Sequence, residues 1–163
     1  MKKISFLFTL VFIIINISAC VGYKPIFSSS ELQFEINDFK LEGDKILDKQ
    51  IYSRLYSLSK ASNRSNNLRN IFLEIRSSKE KNATAKNTAG KTLEYKIILS
   101  VDIFMRDNIT KEEIMNQNFT SSTSYKVQDQ LSETKKFENK STEDLIEGIY
   151  QDILIKLSEN ILR

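Results

Sequence analysis

The chain has 163 residues, enough for one ordinary domain once a leader is set aside. It is 40% hydrophobic and 28% charged, which excludes a disordered chain. Its formal net charge is +3, and removing Lys2 and Lys3 leaves 22 basic against 21 acidic residues, so bulk charge gives no argument for nucleic-acid binding.

The first element is a leader. Lys2 and Lys3 precede an apolar run from Ile4 to Ile17, too short for a hydrocarbon core that needs about 20 residues. A short apolar core behind lysines and before small residues is the pattern of a secretory signal. Ile17-Ser18-Ala19-Cys20 then reads aliphatic, small, small, cysteine, which resembles the bacterial lipoprotein lipobox. That resemblance implies acylation of the Cys20 thiol and cleavage before it. The competing reading is a Cys20 buried in an N-terminal helix or strand. Each buried methylene of an acyl chain contributes about 0.8 kcal/mol, so two or three chains anchor firmly where one holds marginally. Val21 stands where inner-membrane lipoproteins often carry Asp, which leans towards the outer membrane.

The mature part reads as one domain. The expected division is 1–19 leader, 20–30 lipidated linker and 31–163 domain. Leu32, Phe34 and Ile36 alternate with polar residues, predicting a half-buried strand that stops before Gly43-Asp44. From Lys45 the period changes. Leu47, Ile51, Leu55 and Leu58, widened by Ile46 and Tyr52, predict an amphipathic helix. It fades in the polar stretch "SKASNRSNN". Ile71, Leu73 and Ile75 predict a second strand, and "SSKEKNATAKNTAGK" reads as a polar connection ending at Gly90.

From Leu93 to Met105 every odd position is apolar, the mark of a strand with one face on a core and one largely on water. "RDNITKE" predicts a hairpin, with Asp107-Asn108 as turn formers. A fourth strand follows from Ile114 to Val127, with Met115, Phe119, Tyr125 and Val127 on one face and Asn, Thr, Ser and Lys on the other. Ser141-x-x-Asp144 suggests a capping box for a last helix whose apolar stripe is Leu145, Ile149, Ile153, Leu157 and Ile161. An earlier start near Gln130 is the alternative. The expected fold is α+β, a two-layer sandwich of a four-stranded, largely antiparallel or mixed sheet with two helices on one face, in the order β-α-β-β-β-α.

Catalytic constellations are poor. The serines have no histidine to activate them, the carboxylates form no metal-ligand cluster, and Gly22, Gly43, Gly90 and Gly148 lie too far apart to cradle a phosphate. The expectation is a non-enzymatic protein with no cofactor and no metal. Arg76, Lys79, Lys81, Lys86 and Lys91 form a locally basic stretch with Glu80 as the one acid among them. It is either a site for anionic phosphates or a solvated loop of a lysine-rich chain.

Cys20 followed by "GYKPIF" resembles the cysteine-led opening "CGF(R)PLY" of the LPS-assembly lipoprotein family, LptE, with Val21 inserted. "IYSRLYSL", "LEYKIILSVDIFM", "FTSSTSYKV" and a closing amphipathic helix follow in the family's order. The resemblance implies a lipoprotein on the inner leaflet of the outer membrane that plugs a large β-barrel partner, LptD, helps it fold, and assists lipopolysaccharide delivery. It also implies lipopolysaccharide contact through basic loop residues, for which the five cations from Arg76 to Lys91 are the candidates. A generic lipid-anchored periplasmic ligand-binding module is the alternative.

Overall fold

The computed structural model describes residues 34–61 and 68–161. The leader, Cys20, the linker and Leu32 lie outside the described residues. The elements are β1 (Phe34–Leu41), α1 (Lys45–Ala61), β2 (Arg69–Lys86), β3 (Thr92–Asp107), β4 (Glu113–Lys126) and α2 (Leu131–Ile161). The strands form one sheet in the order β1-β2-β3-β4. β1 runs parallel to β2, whereas β2–β3 and β3–β4 are antiparallel. The sheet is therefore mixed, and the order β-α-β-β-β-α matches the expectation.

The core lies between the sheet and both helices. Phe34, Ile71, Leu73, Ile75, Ile97, Leu99 and Val101 are wholly buried under Ile51 and Leu55 of α1 and Ile149, Ile153 and Leu157 of α2. Each aliphatic side chain removed from water in this way contributes about 1.5–3 kcal/mol. In β1 the alternation slips at a bulge between Ile36 and Asp38, after which Phe39 pairs with Leu73 and Leu41 with Ile75. The bulge returns Phe39 to the helix side, where its ring meets Tyr52 at 4.2 Å.

Asp44 starts α1. Its Oδ1 accepts from the N–H groups of Ile46 (2.9 Å) and Leu47 (3.2 Å), satisfying two donors that the first turn leaves free. Ile46 does not join the apolar stripe. It is 71% exposed and lies on the wall of a cleft between the two helices.

Two other expectations are corrected. "SSKEKNATAK" is not a loop but the outer half of β2, paired with β3 from Ser77↔Val101 to Lys86↔Thr92 with two register breaks between Ala83 and Lys86. Its alternation is invisible because both of its faces are polar and exposed beyond Ser77. The real connection is a tight turn in which the Asn87 side chain accepts from Ala89 and Lys91, with Gly90 at φ +79°. Ser141 and Asp144 do not cap a helix start. They lie inside α2, which begins at Leu131, and Thr134 Oγ1 accepts from the Gln128 N–H there (2.8 Å). The predicted β3–β4 turn is present, with Asp107 Oδ1 accepting from Ile109 and Thr110.

Candidate functional site

Pleating separates the five basic candidates. Odd residues of β2 face the helices, so Ile71, Leu73, Ile75 and Ser77 are buried and Lys79 and Lys81 continue that row. Arg76 points from the opposite face, where Glu42 takes it as a partner and Glu74 lies 3.9 Å away. Glu42 also pairs with Lys40. Hydrogen bonds from Lys40 and then Arg76 hold the Glu42 carboxyl down at about 2. Arg76 is thus committed to an ion-pair cluster beside β1.

Lys79 and Lys81 meet on α2. Glu138 Oε2 lies 2.6 Å from Lys81 Nζ, and Glu138 Oε1 lies 3.8 Å from Lys79 Nζ. The Lys81 ammonium also sits 4.3 Å from the Tyr95 ring centre and 5.6 Å from that of Tyr125. Tyr125 donates to Glu138 at 3.0 Å. Burial works against the Lys81 charge, yet its hydrogen bonds to Glu138 and Tyr125 outweigh burial and raise its pKa above the ordinary lysine value. The same Lys81 bond is the main cause that lowers the pKa of Glu138, and burial raises that of Tyr125.

Lys86 and Lys91 flank the hairpin turn. Both are exposed and neither has an ion-pair partner among the described residues. The five cations therefore form no single cluster. They divide into Arg76 on one face, Lys79 and Lys81 under α2, and Lys86 with Lys91 at the tip. Sequence reasoning missed Glu138 and the two tyrosines. Tyr95 and Tyr125 were already on the inward rows of their strands, and the β3–β4 register that pairs them carried the signal.

Next to Lys79 a cleft of about 400 Å³ opens between the first turn of α1 and the middle of α2. Ile46, Leu47 and Ile146 supply its apolar lining, and Lys79 with Asp44, Glu143 and neighbouring amide and hydroxyl groups its polar side. It can take a small apolar group with a polar end.

The face of the sheet away from the helices carries a polar hydrogen-bonded strip across β3 and β4, beside half-buried Phe72, Ile98 and Phe104. Asn118 donates to Ser100 (2.9 Å) and Asp102 (2.8 Å), and Thr120 reaches Ser100 and the Asn118 carbonyl oxygen. Farther along this face the Arg106 guanidinium lies 4.8 Å from the Phe72 ring centre. Among the described residues, no helix is long and apolar enough to cross a membrane, and no group of His, Cys, Asp or Glu is placed to hold a metal ion.

No protein-family model matches the sequence, and no curated protein matches it. Solved structures do. A minor lipoprotein from Acinetobacter baumannii superposes with a TM-score of 0.53 at 18% identity, covering 79% of this chain and 94% of its own. An uncharacterized lipoprotein B from Nitrosomonas europaea superposes with a TM-score of 0.55 at 18% identity, covering 82% and 88%. The chain shares the fold of these bacterial lipoproteins. At such identity the likeness concerns the fold, and no side chain is carried across from it.

Proposed function

We propose that this chain is an outer-membrane lipoprotein of the LptE family, anchored through acylated Cys20 and facing the periplasm. In this reading it plugs an LptD-type β-barrel, assists the assembly of that barrel, and takes part in lipopolysaccharide delivery without catalysing a reaction. The observation that carries it is the helix-free face of the sheet. Water can solvate such a ladder of Asn, Ser and Thr, and a wet, polar barrel lumen offers hydrogen-bond partners along its whole length. The lipobox, the "GYKPIF" opening and the fold shared with bacterial lipoproteins support the same reading. Lys86 and Lys91 are the candidates best placed for lipopolysaccharide phosphates, because their charges are not already spent on a carboxylate of the described residues.

The cleft beside Lys79 favours a second reading, a lipid-anchored module that binds a small periplasmic ligand. A pull-down of the tagged chain from native outer membranes in mild detergent separates the two. Stoichiometric recovery of a large β-barrel with lipopolysaccharide supports the plug. Elution alone, or with a small ligand, overturns it.

A further inference from the structure

α2 is one helix with two kinds of attachment. From Leu145 onwards its inward side is apolar, and Leu145, Ile146, Ile149, Ile153, Leu154 and Leu157 are buried in the core. Over residues 131–144 only Thr134 is buried. Leu131 is 83% exposed and Phe137 faces water over half its surface, so the large apolar side chains of this stretch do not hold it down.

What holds the first half is polar. Thr134 bonds back to Gln128 and Gln130, within its own connection from β4. Among the described residues, Glu138 makes the side-chain bonds that join this stretch to the sheet, to Lys81 at 2.6 Å, to the Tyr125 hydroxyl at 3.0 Å and more loosely to Lys79 at 3.8 Å. The cleft parts Asn139, Thr142 and Glu143 from the first turn of α1, so that helix gives no support there. At the join of the two halves Thr142 turns its hydroxyl back to the Glu138 carbonyl at 2.9 Å, a bond that weakens and bends helices. Gly148, a poor helix former, follows in the second half.

We propose that residues 131–144 are a strap that opens as a unit while residues 145–161 stay docked, and that the Glu138 carboxylate is its latch. Segments with few buried apolar contacts are the ones that open below the global unfolding free energy. Val127, bonded to Leu93, fixes one end of the strap and buried Leu145 the other, so it opens by local unfolding instead of swinging free. Opening releases the Lys79 and Lys81 ammonium groups and uncovers the Tyr95 and Tyr125 rings, on the half of the sheet that ends in Lys86 and Lys91. The latch is acid-sensitive. Glu138 faces Lys79 and Lys81 of β2 and Tyr125 of β4, with Tyr95 of β3 behind Lys81; Lys135 lies one turn away on α2, and Asp44 of α1 and Glu143 line the cleft with Lys79. Hydrogen bonding from Lys81 is the main cause that holds its carboxyl below the ordinary 4.5, so the latch is closed at neutral pH and lost as pH falls through that lowered value. This inference does not depend on the barrel reading.

The test is amide hydrogen exchange by mass spectrometry on the full chain in mild detergent, corrected for the intrinsic rate at each pH. Peptides from 131–144 should be protected about tenfold less, or lower still, than those from 149–157. Glu138→Gln should lower protection of the strap several-fold and leave 149–157 unchanged. Acidification from neutral to below 4.5 should bring the wild-type strap towards the Glu138→Gln level. Equal protection along α2, a strap that Glu138→Gln leaves unchanged, exchange of 149–157 rising with it, or a gap between the two proteins that persists in acid would each overturn the proposal.

Discussion

Ser77 gives both of its donors to one carboxylate oxygen of Asp48, its N–H at 2.9 Å and its hydroxyl at 2.5 Å. The other oxygen of Asp48 accepts from the Gly43 N–H at 2.7 Å. Asp48 is wholly buried, so these bonds replace water and tie the first turn of α1 to the point where β2 loses its β1 neighbour. Removing the carboxylate leaves the buried Ser77 N–H and the part-buried Gly43 N–H without their acceptor and the Ser77 hydroxyl with only the Asp44 carbonyl at 3.5 Å, and each lost bond to a buried donor costs about 1–3 kcal/mol. Asp48→Ala should lower unfolding stability by about 3 kcal/mol or more in urea titrations, and Asp48→Asn, which keeps one acceptor, by less. Equal stability of Asp48→Ala and wild type would mean that the clasp contributes nothing to the fold.

The same clasp explains Gly43. A Cβ there would lie 2.2 Å from both the N and the O of Ser77, backbone atoms that cannot move aside. Gly43→Ala should therefore destabilise by about 1–3 kcal/mol through overpacking. Gly148 is the opposite case. It sits inside α2 with nothing within 4 Å of the position a Cβ would take, so Gly148→Ala should stabilise by about 1 kcal/mol through helix propensity alone. Thermal melts of the two variants should move in opposite directions.

Much of this fold is legible in the residues, and the lapses share a cause. β3 and the second half of α2 read clearly because each buries one row and exposes the other. The outer half of β2 reads as loop because neither of its rows is buried, and only backbone pairing with β3 makes it a strand. The first half of α2 is obscured in the same way. It covers the Lys79–Lys81 row instead of apolar side chains, so Phe137 is 48% exposed and Glu138 does the anchoring. Of the candidate site, residue types were readable but partners were not, since Arg76–Glu42 and Lys81–Glu138 join distant segments of the chain.

Glu138 makes stability depend on pH at the acid end. Its folded pKa lies below its ordinary value of 4.5, chiefly through Lys81. Its contribution is therefore full above that value and lost as pH falls through the lowered folded one. Glu138→Gln should cost about 1 kcal/mol near neutral pH, and the gap to wild type should close on acidification. At the alkaline end the raised Lys81 pKa acts the other way, its contribution being present below the ordinary lysine value of 10.5 and lost as pH rises through the folded one. Urea midpoints measured across pH check both limbs. A gap that stays constant into acid would mean that Glu138 acts by packing, not by charge.

Acylation of Cys20 is open to a direct measurement. Radiolabelled palmitate should enter the wild-type chain and be absent from Cys20→Ala, with the variant released from the membrane fraction. Label persisting in Cys20→Ala would place the acyl group elsewhere and remove the anchor from the proposed function.

The tip of the hairpin separates ligand charge from structural charge. Reversing Lys81 would set two acids against each other at Glu138, so a loss of binding in that variant could report damage to the fold instead of a lost contact. Lys86 and Lys91 have no such partner among the described residues, and they flank a turn held by the Asn87 side chain and its backbone. Lys86→Glu with Lys91→Glu should therefore leave melting unchanged. Lipopolysaccharide binding should weaken several-fold, and the loss should be larger at low ionic strength, where exposed charges are least screened. Binding that is unchanged at low salt would assign these lysines to solvent and leave Lys79, at the cleft between α1 and α2, as the cation to test next.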